Sequence, residues 1–183
     1  SGLKDINALV TIVHGKEKRL SYIGSINSRL DYRNGKIYWT EIVPGLRWTH
    51  ENYSVLKCYD LKEGRIKSIT PRQRYLSPSV DKNGKVAAVS RTTVDGKNQL
   101  VLVELEDGKE LFAFQVPGNA FIKELTFTDQ DEVVAVAVTD AGISLLQFTP
   151  SSGQWEELLS TASVNITCLE RRTDLLRIRG EWN

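Results

Sequence analysis

Hydrophobic and polar positions change over in short runs along the chain. Stretches rich in Val, Ile, Leu, Tyr and Trp, such as "KIYWTEI" and "VVAVAV", are separated by Gly, Asn, Asp and Ser. That is the pattern of β-strands joined by turns. No segment carries a convincing helical stripe. Residues 154–161 ("QWEELLST") have a helix-like composition, but Gly153 precedes them and similar segments earlier in the chain read as strands.

The strand signals repeat. The segments "ALVTIVHGKEKRLSYI" (8–23), "VLKCYDLKEGRIKSIT" (55–70), "LVLVELEDGKELFAFQ" (100–115) and "ISLLQFTPSSGQWEELL" (143–159) each give an apolar strand, a polar turn with glycine, and a second strand. The turn glycines Gly15, Gly64, Gly108 and Gly153 are 49, 44 and 45 residues apart. A second family of hairpins alternates with the first: residues 29–42, 76–90 and 124–138, with a weaker copy at 167–180. Asn34-Gly35 and Asn83-Gly84 predict two-residue type I′ turns, whose central positions both take positive φ.

Two alternating hairpins make units of four strands and about 40–45 residues, the signature of β-propeller blades. With strands lettered a to d from the central channel outward, residues 28–70, 75–116 and 122–161 form three complete blades. Residues 8–23 supply strands c and d of an earlier blade, and 166–180 supply strands a and b of a later one. The expected fold is all-β, about four blade-equivalents, with residues 1–183 as a single propeller region. The strand "VVAVAV" is apolar on both faces, as a strand between stacked blades must be; Trp39 and Val89 fall in the matching strands. The two halves either pair into one blade of a four-bladed ring or leave an arc of a wider propeller. The arc is preferred, because four blades is the tight extreme; pairing of 8–23 with 173–180 would decide against it.

Composition adds exclusions. The 183 residues are 40% hydrophobic and 26% charged, ordinary for a globular chain. With 24 basic and 23 acidic residues and a net charge of +1, nothing pulls the whole surface toward nucleic acid or an anionic membrane. The apolar runs are too short to span a bilayer as helices. No signal-peptide pattern opens the chain. The start Ser1-Gly2, the absence of Met and the half blades together suggest a piece of a longer protein. Cys58 and Cys168 sit in apolar, strand-like surroundings; two buried thiols are favoured over a bridge.

Blade 2, "LSPSVDKNGKVAAVSRTTVDGKNQLVLVELEDGKEL", resembles the repeat of TolB-like (PD40, WD40-like) bacterial propellers. Ser77, Pro78, Asn83, Gly84, Lys85, Ser90, Asp95, Gly96 and Gly108 match that repeat in order. Blade 1 is similar through "NGKIYW" and "SVLKCYDLKEG". Blade 3 departs, with "TDQDEV" in place of Ser-Pro and Gly-Lys. The segment "RWTHENYSVLKCYDL", with "SIT" and "YLSPSVDKNGK" after it, also resembles the propeller part of large envelope proteins of Bacteroidetes-type bacteria. The resemblance covers about residues 28–160. It implies a periplasmic or cell-envelope location and other domains in the parent chain. It says little about activity, because such repeats accompany many functions.

Catalytic patterns are missing. His14 and His50 are the only histidines, and there is no His-Glu-x-x-His, Cys-x-x-Cys or Gly-x-Ser-x-Gly. No enzyme activity, metal or cofactor is expected. "TDQDE" (128–132) reads as a solvated turn rather than a Ca²⁺ loop, since the glycine for the sharp bend is absent. "SVDKNGK" (79–85) is one residue too long between Asp and Gly for an Asp-box. Asp31, Asp81, Glu124 and Asp129 fall in or beside the strand a segments, without the matched placement a glycosidase pair needs. Two N-glycosylation sequons, at Asn52 and Asn165, carry no weight in a bacterial chain.

The most distinctive segment is the b–c connection of blade 1, "VPGLRWTHENYS" (43–54), longer than its counterparts "RTTVDGKN" and "TDAG". Long loops in compact repeats often carry function. This one holds Arg47, Trp48, His50 and Tyr53. The d–a connection into blade 2 adds Arg72, Arg74 and Tyr75, and the next b–c loop begins at Arg91. Connections b–c and d–a emerge on one face of a propeller, so these eight residues form the candidate binding site. A cationic, aromatic face suits a protein, an acidic peptide or an anionic glycan. Packing of Trp48 against blade 1, with Arg47 solvated or salt-bridged, is the competing reading. The expected function is a non-catalytic binding or scaffold module; the alternative is an accessory gating propeller of a larger hydrolase of the prolyl-oligopeptidase type, with its catalytic domain elsewhere.

Overall fold

The computed structural model describes residues 7–26, 28–43, 53–162, 164–172 and 175–182. Strands β1 (Asn7–Val13) and β2 (Lys16–Ile23) form a two-stranded sheet. Three four-stranded sheets follow. The first contains β3 (Asp31–Arg33), β4 (Lys36–Val43), β5 (Tyr53–Asp60) and β6 (Arg65–Ser68). The second contains β7 (Tyr75–Val80), β8 (Val86–Thr92), β9 (Asn98–Glu104) and β10 (Glu110–Gln115). The third contains β11 (Phe121–Phe127), β12 (Val133–Thr139), β13 (Gly142–Thr149) and β14 (Gln154–Thr161). A last two-stranded sheet holds β15 (Val164–Arg172) and β16 (Leu175–Trp182). Every ladder is antiparallel between consecutive strands. The innermost strands β3, β7, β11 and β15 lie against one another in series, so the sheets are blades fanned around an axis.

Stacking of sheet on sheet makes the core, because a blade has two apolar faces and no helix to cover either. Leu9 and Ile23 of the first hairpin pack with Trp39 and Tyr59 of blade 1. Tyr38, Leu56 and Cys58 of blade 1 pack with Val80, Ala87 and Leu105 of blade 2. Strand β12 shows why "VVAVAV" is continuous. Val133, Ala135 and Ala137 face the blade 2 side with Ala88, Leu100 and Leu102, whereas Val134 and Val136 face Ile166 and Leu169 of β15. Trp39 and Val89 are fully buried, as their place in strand b requires. Cys58 is buried with a free thiol, and burial, the largest influence, pushes that thiol up from its ordinary pKa.

The two half blades remain separate. Among the described residues no ladder joins β1–β2 to β15–β16, so the sheets form an open arc rather than a closed four-bladed ring.

The turns follow local chemistry with one correction. Asn34 and Gly35 take φ of 50° and 76° between the paired residues Arg33 and Lys36, the expected two-residue turn. Asn83-Gly84 does not repeat it: only Gly84 has positive φ, and the connection is longer. The reason is Asp81, whose Oδ1 accepts from the backbone N–H groups of Lys85 (2.7 Å) and Val86 (2.8 Å). A carboxylate that holds backbone donors across a turn supplies what the tight hairpin would otherwise provide.

Candidate functional site

The loop face is built by strand ends. Arg47, Trp48 and His50 lie outside the described residues. Tyr53 begins β5, and the link carrying Arg72 and Arg74 is tied beside it. Ser54 and Gln73 exchange backbone hydrogen bonds (2.6 and 2.8 Å), and Ser54 Oγ donates to the Tyr75 carbonyl at 2.6 Å. This fixes the link from blade 1 to blade 2 against the start of β5. Arg74 then lies over the Tyr53 ring, 5.7 Å from its centroid, within cation–π range. Arg72 is exposed.

Tyr75 and Arg91 are brought together but serve each other. Tyr75 is 1% exposed, and its hydroxyl donates to Glu110 Oε2 at 3.1 Å. Burial, reinforced by the Glu110 charge, pushes its pKa to about 12, so it is a neutral donor. Arg91 makes a bidentate pair with Glu110 (2.6 and 3.1 Å), donates to Gln99 Oε1, and stands 5.9 Å from the Tyr75 ring. Its charge is balanced inside blade 2. Of the described residues of this face, Arg72 is exposed and Tyr53 and Arg74 are half-buried, while Tyr75 and Arg91 are held by Glu110. Sequence reading missed Glu110, which lies in the outermost strand of blade 2, far along the chain from its partners.

The two loops beside Tyr75 are also joined. The Asn119 side chain accepts from Asn98 N–H (2.7 Å) and Gln115 Nε2 (2.9 Å) and donates to the Gly96 carbonyl (3.0 Å), while Asn98 Nδ2 donates to the Asn119 carbonyl (2.7 Å). The b–c loop of blade 2 and the link into blade 3 thus form one unit. In the sequence both asparagines look like ordinary turn residues.

The acids near the channel hold blades together. Asp31 Oδ2 accepts from the Val80 N–H at 2.6 Å and from Ser79 Oγ at 3.4 Å, and Ser79 Oγ accepts from the Phe127 N–H at 3.0 Å. One carboxylate and one hydroxyl so connect the inner strands of three successive blades. Arg29 donates to Glu124 (2.7 Å) and to the Leu169 carbonyl (2.8 Å), and Glu124 accepts from the Leu169 N–H (3.3 Å). Asp81 is committed to its own turn. The "TDQDE" turn is partly exposed and also makes ion pairs: Asp131 pairs with Lys82 of blade 2 at 2.7 Å, and Asp129 stands 3.8 Å from Arg33 of blade 1. Among the described residues, no three His, Cys, Asp or Glu side chains are grouped to hold a metal ion.

No family model matches the chain, and no curated protein matches it. Solved structures do. The chain is similar to TolB from Acinetobacter baumannii, with a TM-score of 0.63 at 11% identity, over 92% of this chain and 43% of TolB. It is similar to the β-propeller domain of the Trilobed protease from Pyrococcus furiosus, with a TM-score of 0.56 at 12% identity, over 85% of this chain and 53% of that one. A nidogen/laminin complex matches with a TM-score of 0.54 at 11% identity, over 82% of this chain and 56% of the matched chain. The chain spans about half the length of these structures. Identities this low, with coverage this high, show a shared β-propeller fold.

Proposed function

We propose that this chain is a non-catalytic binding or scaffold propeller whose b–c and d–a loop face engages a protein, peptide or glycan. The observation that carries the reading is the Tyr53–Arg74 pair with exposed Arg72 beside it, held by the Ser54–Gln73 bridge at the root of the 43–54 connection. The described part of that face, fastened by the Ser54–Gln73 bonds, is pre-organised, so little ordering there opposes binding. A nidogen/laminin complex among the structural neighbours supports protein binding as a use of this architecture. The PD40-type repeat, a bacterial parent protein and a periplasmic or envelope location belong to the same proposal, as does treating residues 1–183 as one region with blades at 28–70, 75–116 and 122–161.

The test is binding to arrayed acidic peptides and anionic glycans, comparing the native chain with Arg47→Ala, Trp48→Ala and Arg72→Ala. Loss of captured probes in these variants, with retention in Glu106→Ala on a c–d turn, is the expected result. Identical capture by all variants refutes the face. The second reading, an accessory propeller of a hydrolase, is favoured by the Trilobed protease neighbour. Reading the parent gene for a hydrolase domain separates the two.

A further inference from the structure

Each complete blade ends in an outermost strand whose far edge pairs with no other strand among the described residues. Strands β6, β10 and β14 close the three blades in this way, and β2 closes the first hairpin. Such an edge is a template for another strand. Three of the four are guarded by charge. Strand β2 carries Lys16, Glu17, Lys18 and Arg19, β6 carries Arg65 and Lys67, and β14 carries Glu156 and Glu157. Strand β10, "ELFAFQ", has Glu110 at its first position, and that carboxylate is bound to Arg91 and Tyr75. From Leu111 to Phe114 it has no charge, yet Leu111 is 36% and Phe112 62% exposed.

The backbone of this edge is oriented for pairing. Val116 N–H donates to the Asn98 carbonyl. In the antiparallel alternation Phe114 and Phe112 therefore direct their backbone groups to β9, and Ala113 between them directs its N–H and C=O outward. Phe112 and Phe114 lie opposite Leu102 and Leu100, which belong to the core against blade 3, so both rings are on the blade 3 side of the strand. Phe114 is anchored against Phe148 of blade 3, 4.7 Å between ring centroids, and Phe112 stands 6.0 Å from Phe114 and reaches solvent beside it.

We infer that β10 is the contact through which two copies of this chain form a reversible dimer, edge to edge, about a two-fold axis at Ala113. The strand complements itself in that register. Ala113 of each copy donates its N–H to the Ala113 carbonyl of the other. Phe112 of each copy then faces Phe114 of the other, in the closely spaced non-hydrogen-bonded positions where aromatic cross-strand pairs stabilise a sheet. Glu110 falls opposite Val116, so no like charges meet. Strands β6 and β14 would each bring like charges together, because Arg65 and Lys67, or Glu156 and Glu157, lie within the paired stretch. An edge of six residues is a small contact beside the roughly 1,200–2,000 Å² of stable complexes, so a dissociation constant on the order of 10 μM is expected. The contact lies on the outer rim of blade 2 and does not depend on the loop face.

Sedimentation equilibrium of the full chain, up to about 300 μM, tests it. The variants are Ala113→Pro, which removes the outward N–H and leaves the bonds to β9 in place, and Phe112→Lys, which puts a charge on the edge. The control is Leu158→Lys, at a position 44% exposed on the guarded strand β14. Far-UV circular dichroism and the urea midpoint establish that each variant is folded. The native chain is expected to dimerise, with a dissociation constant at least about tenfold higher in Ala113→Pro and Phe112→Lys and unchanged in Leu158→Lys. A native chain that stays monomeric throughout the range overturns the inference. So does a dimer that both β10 variants retain at native affinity, or one that Leu158→Lys weakens as much as Phe112→Lys does. Should Ala113→Pro fail to fold, Phe112→Lys and the control decide between these results.

Discussion

Replacing Gly108 by Ala isolates what the contact between blades 1 and 2 is worth. Gly108 is a c–d turn glycine at φ 74°, and a Cβ there would lie 2.0 Å from the Ile69 carbonyl oxygen, 2.8 Å from its carbon and 3.2 Å from Thr70 Cα. Two costs follow. The left-handed backbone costs an alanine about 1–2 kcal/mol. The clash is with backbone, which has no rotamer to escape into, so the turn must withdraw from blade 1 and loosen the packing of Leu105 and Ile69 against Tyr38 and Leu56. Core disruption of that kind costs about 2–3 kcal/mol more. The control lies in the same blade: Gly96 has φ 77° and nothing within 4 Å of its would-be Cβ, so Gly96→Ala carries the backbone cost alone. Urea unfolding followed by circular dichroism measures both. Gly108→Ala should lose about 3–5 kcal/mol and Gly96→Ala about 1–2 kcal/mol. Equal losses would falsify the idea that the blade contact, rather than turn conformation, makes Gly108 obligatory.

Other consequences are as direct. Glu41 accepts from Lys57 Nζ (2.6 Å), Gly24 N–H (3.1 Å) and Trp39 Nε1 (3.3 Å); burial opposes its ionisation, but these donors together hold its carboxyl below the ordinary value of 4.5. Its contribution is therefore present above that value and disappears as pH falls through the lower folded value, so acid destabilisation measured by urea midpoint against pH should be shallower in Glu41→Gln. Tyr38 and Tyr75 are both pushed to about 12, chiefly by burial. Their stabilising share persists below pH 10 and is lost on the way to 12, and ultraviolet titration of the folded chain should show Tyr38 and Tyr75 failing to ionise near pH 10. Glu110→Ala strips an acceptor from both Tyr75 and Arg91 and should cost about 1–3 kcal/mol, whereas Arg72→Ala at an exposed position should stay within about 0.5 kcal/mol; the reverse order in thermal or urea unfolding would refute the assignment of support and surface.

The blade repeat was legible in the chain because each strand carries its own signal. Gly15, Gly64, Gly108 and Gly153 mark turns by backbone conformation alone, and all four take positive φ. The continuous "VVAVAV" announces two buried faces, since period-two alternation disappears only when both sides are covered. Absent motifs could be read with equal directness. What tertiary structure decided is how separate copies use one another. Four similar glycines differ once neighbours are in place: Gly15 meets nothing within 4 Å, Gly108 meets the Ile69 backbone. Asn34-Gly35 and Asn83-Gly84 share a dipeptide, but Asp81 reaches five residues along the chain and turns the second into another connection. Arg91 and Tyr75 carry the same letters whether they face a ligand or Glu110. Hydrophobic period and turn propensity are properties of a few adjacent residues, and a sequence states them openly. The partner of a charge, the backbone opposite a Cβ and the loop that an asparagine fastens come from residues tens of positions away, and only folding brings them within hydrogen-bonding distance.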